Sequence, residues 1–91
     1  MNYTIRFSDE AKKAIIKYKK SNPIAYKKLS QLLVEIAEHP REGTGHPESL
    51  IKGNSITYSR RNSANNRLIY DIYDDIVVVL ILSVEGHYRD K

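Results

Sequence analysis

Polar and apolar residues alternate from Asn2 to Phe7, with Tyr3, Ile5 and Phe7 on one side and Asn2, Thr4 and Arg6 on the other. That period of two predicts a half-buried strand. The period then lengthens. Ala11, Ala14, Ile15 and Tyr18 recur at helical spacing after Ser8, an N-cap hydroxyl, and after Asp9 and Glu10, which suit the positive end of a helix dipole. Asn22-Pro23 restarts the chain, with Asn as N-cap and Pro at the first helical position. Ala25, Leu29, Leu32, Leu33, Ile36 and Ala37 form the apolar stripe of a second helix, which Pro40 ends. The two helices are almost contiguous and are expected to form a hairpin. Alternation returns at Ile56–Arg61, where Ile56, Tyr58 and Arg60 oppose Thr57, Ser59 and Arg61. A further strand is expected over Arg67–Tyr73, a turn at Asp74-Asp75, and a last strand over Ile76–Leu82, broken by Gly86. The last strand is apolar on both faces, so a central position is expected, with helices on one side. The order β-α-α-β-β-β predicts an α+β fold, two N-terminal helices packed on a mostly antiparallel sheet.

Between the second helix and the second strand lie Pro40, Gly43, Gly45, Pro47 and Gly53. A loop of about 15 residues in so short a chain is expected to carry function. The chain has 91 residues, enough for one domain over 1–91 and one core. No cysteine is present, which removes disulfides, thiolate metal sites and cysteine nucleophiles together and makes a reducing, cytoplasmic home the expectation. Met1 to Phe7 lacks the apolar core of a signal peptide. The longest apolar run, Ile76–Leu82, is far short of the roughly 20 residues a membrane span needs.

Lys and Arg number 15 against 11 Asp and Glu, a net charge of +4. Its distribution says more than its size. Lys12, Lys13, Lys17, Lys19, Lys20, Lys27 and Lys28 occur with no acid between Ala11 and Val34. A solvated helix face explains them simply, and contact with a large nucleic acid is the functional alternative. The second cluster is Lys52, Arg60, Arg61 and Arg67, again without an acid among them. Adjacent strand residues point to opposite faces, so only one of Arg60 and Arg61 can join a given site. Arg61 shares the face of Thr57 and Ser59, away from the core face of Ile56 and Tyr58. For each arginine, a structural ion pair with Asp71 or Glu85 is the competing reading.

The histidines His39, His46 and His87 have no helical-spacing partners, and no phosphate loop or dinucleotide fingerprint is present. No metal and no cofactor is therefore expected. In an antiparallel sheet, however, Glu48 of the long loop, Arg61 and Arg67 of neighbouring strands and His87-Tyr88 beyond the last strand can converge. A carboxylate, a histidine and two arginines suffice for metal-free RNA cleavage. The carboxylate takes the ribose 2′-OH proton, arginine neutralises the phosphorane, and the imidazolium protonates the departing 5′-oxygen. The nucleophile comes from the substrate.

Pro47-Glu48-Ser49-Leu50, Tyr58-Ser59-Arg60-Arg61, Asn66-Arg67-Leu68-Ile69-Tyr70 and His87-Tyr88, preceded by His39-Pro40-Arg41-Glu42-Gly43-Thr44-Gly45, together resemble the YoeB/Txe toxins of the RelE superfamily. The resemblance covers nearly the whole chain. It implies a ribosome-dependent mRNA endoribonuclease that cleaves mRNA in the A site of the 70S ribosome. It also implies neutralisation by a YefM/Phd-type antitoxin, homodimers like those of look-alikes, and contact with operator DNA only through the antitoxin complex. By the same resemblance Glu48 is the general base, His87 the general acid and Arg67 the transition-state stabiliser. Arg61 and Lys52 hold phosphate, and Tyr88 places the nucleotide. The chain departs from the pattern where Ile51 precedes Lys52 and where Arg89-Asp90-Lys91 follow Tyr88. Two other classes share the scaffold: a ParE-like gyrase poison, and an RNA-binding module using Lys12–Lys28 with structural arginines. A pure binder has no use for Glu48, Arg67 and His87 as a set.

Overall fold

The computed structural model describes residues 2–50, 56–62 and 66–86. The chain runs β1 (Thr4–Phe7), α1 (Asp9–Ser21), α2 (Pro23–Glu38), β2 (Glu48–Ser49), β3 (Thr57–Arg61), β4 (Arg67–Tyr73) and β5 (Val78–Gly86). The local signals act as expected. Ser8 Oγ accepts from the Ala11 N–H at 3.1 Å, and Asp9 and Glu10 occupy the first turn of α1. Asn22 alone joins the helices: its N–H closes α1 on the Tyr18 carbonyl, and its side chain caps α2 through the Ala25 N–H at 3.2 Å. His39 caps the C-terminus of α2.

The five strands lie in the order β1-β5-β4-β3-β2. β1 pairs parallel with β5, and every other pairing is antiparallel. Leu68, Tyr70 and Ile72 of β4 and Val79, Ile81 and Val84 of β5 are fully buried against Ala11, Tyr18, Leu29, Leu32 and Ile36 of the helices. One face of the sheet therefore carries the core. No described helix lies over the other face.

Three details differ from the sequence pattern. Ile76 and Val77 belong to the turn, with Val77 at φ 55°, so β5 begins at Val78 and runs on to Gly86. An all-apolar run has no internal period to mark its start. β5 is interior, as expected, but β4 holds the middle of the sheet. Finally, Glu48–Ser49 form an edge strand that two residues are too few to announce.

Candidate active site

β3 and β4 pair Arg61 opposite Arg67, Ser59 opposite Ile69 and Thr57 opposite Asp71. β2 pairs Glu48 opposite Ser59. Alternation thus sets Glu48, Ser59, Arg61 and Arg67 together on the uncovered face of the sheet. Two cations directly opposite each other repel, and the Arg67 side chain lies away from Arg61. Its Nε donates to Ser59 Oγ, and its Nη2 stands 3.9 Å from Glu48 Oε2. Arg61 is exposed. Glu48 is 56% exposed and Arg67 22%. An ion pair so open to water adds only about 0–1 kcal/mol to stability, so its value lies elsewhere than in holding the fold.

The far side of β4 completes the placement. Arg67 pairs with Gly86 of β5, the residue before His87. From Tyr70 to Arg67 the partners run from Ile81 to Gly86, so three steps of β4 face five of β5, and the register shifts twice. Such irregularities re-aim side chains near functional sites. Here they return Ser83 and Gly86 to the ladder beside Ile69 and Arg67 while Val84 stays in the core. His87, Tyr88 and Lys52 lie outside the described residues, as does the Arg89-Asp90-Lys91 extension.

Arg60 takes the opposite role from its neighbour. It is fully buried on the core face. Nη1 meets Glu35 Oε1 at 3.3 Å, Nη2 donates to the carbonyls of His39 at 3.0 Å and Glu42 at 2.9 Å, and Nε donates to the Tyr70 hydroxyl at 3.3 Å. The Tyr70 hydroxyl donates in turn to the Pro40 carbonyl at 2.7 Å. The helix exit is thereby folded around a guanidinium. Glu35 also receives the Thr44 N–H at 3.2 Å. Gly45, at φ +88°, lies so close to β3 that its carbonyl accepts the Arg61 N–H at 2.8 Å. A Cβ there would meet the Arg61 carbonyl at 2.6 Å. Three residues later the loop delivers Glu48.

A second tie holds the loop from outside. Arg41 makes a bidentate pair with Asp74 at 2.8 and 3.2 Å, and the Tyr3 hydroxyl donates to the same carboxylate at 2.5 Å. Arg41, then Tyr3, hold the Asp74 carboxyl below the usual aspartate range. The hydrogen bond to Asp74 raises the Tyr3 hydroxyl in turn.

The expected competitors for the arginines are engaged otherwise. Asp71 accepts from Thr57 at 2.6 Å and from Tyr73 at 3.3 Å, and Glu85 lies 3.3 Å from Lys17. Arg60 is the structural arginine, and its partner is Glu35, a residue the sequence pattern did not single out. Ser59 was visible only as a neighbour of Arg61 on one face. The seven helix lysines are all exposed, in the layer opposite the arginine face. Among the described residues no group of three or more acids or histidines is arranged to hold a metal ion. No described helix is long and apolar enough to cross a membrane.

The chain matches known proteins over most of its length. The family described as YoeB-like toxin of bacterial type II toxin-antitoxin system matches residues 7–88. Toxin YoeB of Streptomyces coelicolor is 31% identical over 84 residues, 92% of this chain and 98% of that protein. The structure of the YoeB dimer from Staphylococcus aureus superposes with a TM-score of 0.84 at 30% identity, covering 97% of this chain and 100% of that one. The YoeB-YefM complex from the same organism gives 0.79 at 31% identity, with the same coverage.

Proposed function

The chain belongs to the YoeB-like toxins of bacterial type II toxin-antitoxin systems, in the RelE superfamily, and from that premise we propose that it is a metal-independent, ribosome-dependent mRNA endoribonuclease. One observation carries the reading: a carboxylate, Glu48, and two arginines, Arg61 and Arg67, share an uncovered sheet face, at the point where β5 hands over to His87.

In this mechanism Glu48 accepts the proton of the ribose 2′-OH, and the freed oxygen attacks the adjacent phosphorus. Arg67 and Arg61 neutralise the charge that grows on the phosphorane oxygens, a role worth about 10²–10³-fold for one well-placed donor. His87 protonates the leaving 5′-oxygen, and each proton transfer contributes about 10²–10⁴-fold. The products are a 2′,3′-cyclic phosphate and a 5′-hydroxyl. Tyr88 and Lys52 are assigned to placing the nucleotide and its phosphate. Glu48 and Arg61 are exposed, so alignment of the 2′-OH with the scissile bond must come from elsewhere. The ribosomal A site supplies it by holding the mRNA. The exposed lysines of α1 and α2 supply a diffuse cationic surface for ribosomal RNA. A YefM/Phd-type antitoxin is the neutralising partner, as the YoeB-YefM complex of the relative suggests.

The test maps mRNA 5′ ends in an in vitro translation reaction with and without the protein. New ends at the A site, absent with Arg67→Ala or His87→Gln, are expected. Equal cleavage of free RNA would overturn ribosome dependence, and full activity of the folded double variant would overturn the site. DNA breaks without mRNA cleavage would favour gyrase poisoning instead.

A further inference from the structure

Ser59 is a polar residue with no exposed surface, on the sheet face that no described helix covers. The Arg67 guanidinium reaches it, and its Nε donates to the Ser59 hydroxyl. A guanidinium can grip a phosphate side-on, through Nε and one Nη, or end-on, through both Nη groups. With Nε committed to Ser59, only the end-on fork is presented. The opposing charge of Arg61 across the ladder pushes Arg67 toward Ser59, and Glu48 at 3.9 Å draws Nη2 the same way. One hydroxyl thus selects a single orientation of a side chain that would otherwise have several rotamers. Glu48 stands opposite Ser59 in the β2–β3 ladder, so the base and the fork are referred to the same backbone position.

We infer that Ser59 is a positioning residue, which rests on the function proposed above: it holds Arg67 so that both Nη groups face the scissile phosphate as charge develops. Its hydroxyl takes no part in bond making. The test is a cycle of Ser59→Ala, Arg67→Ala and the double variant, read as the single-turnover cleavage rate on programmed ribosomes. Ser59→Ala should lower the maximal rate about 10-fold, the size of a lost hydrogen bond to a charged group, with the half-saturating ribosome concentration unchanged. In the Arg67→Ala background the same change should cost nothing further. An equal loss in both backgrounds, or none in either, overturns the assignment. A second readout is independent of cleavage. The Arg67 Nε–H resonance should exchange slowly with water in the parent and rapidly in Ser59→Ala, and equal exchange in both would overturn the assignment. A parent that cuts no mRNA yet shows the protected Nε–H would count against the enzyme and not against the Ser59 contact.

Discussion

Arg60 and Arg61 are adjacent and chemically identical, and their replacement by leucine should have opposite consequences. Arg60 has no exposed side-chain surface and reaches Glu35, the Tyr70 hydroxyl and the carbonyls of His39, Pro40 and Glu42. Arg60→Leu leaves those carbonyls facing an apolar side chain and strips Glu35 of its cationic partner. Breaking a buried ion pair from one side costs roughly 3–5 kcal/mol. Glu35 can turn partly to water, since 31% of its side chain is exposed, so the carbonyls carry much of that penalty. Against a total stability of about 5–15 kcal/mol, the loss is large. In a domain of this length about 1 kcal/mol moves the melting temperature by 4–8 °C, so Arg60→Leu should melt at least about 12 °C lower. Arg61→Leu removes an exposed charge and should stay within about 0.5 kcal/mol of the parent while losing cleavage. Urea unfolding followed by circular dichroism and tyrosine fluorescence separates the two. An Arg60→Leu variant within about 1 kcal/mol of the parent, or an Arg61→Leu variant as unstable as Arg60→Leu, would refute the division of labour.

Gly45→Ala should destabilise by about 1–3 kcal/mol through its positive φ and, by pushing the loop off β3, should also lower activity; unchanged unfolding and cleavage would mean the loop is not seated there. Asp74→Asn should weaken the fold at neutral pH, with the difference from the parent closing in acid. The folded carboxyl titrates below the usual range because of Arg41 and Tyr3, so its contribution is present above the unfolded value, about 4, and is lost as pH falls through the lowered folded value. Urea midpoints measured from neutral pH downward test this, and a gap that stays constant through the acid range would contradict the tie.

The helices were legible because their signals are local: Ser8, Asn22 and Pro23 act within one turn of where they stand. The separation of Arg60 from Arg61 was legible for the same reason, since alternation needs only neighbours. Which of the two would be buried followed from the face of Tyr58, but its partner did not. Glu35 lies on α2, far from β3 in the chain, and only the tertiary fold brings it to Arg60. The suspected partners, Asp71 and Glu85, sit on the correct strands but answer to Thr57, Tyr73 and Lys17. The β5 boundaries were hidden by a uniformly apolar run, and its register shifts follow from pairing on both sides rather than from its own residues. Glu48 could be picked out as a candidate base. Its seat on an edge strand opposite Ser59 depends on a loop wound around a guanidinium that belongs to β3.

The parallel pairing of the first strand with the last has a temporal side. Among the described residues β1 has no sheet neighbour except β5, so Thr4 must wait for Val78, its partner in the ladder. A nascent chain is made N-terminus first, at about 5–20 residues per second. The helices can form early, but the slot between β1 and β4 stays empty until β5 follows. Arg67 acquires its second flank, at Gly86, in that same last step. The face that carries Glu48, Arg61 and Arg67 therefore gains its full width only when β5 closes the gap between β1 and β4.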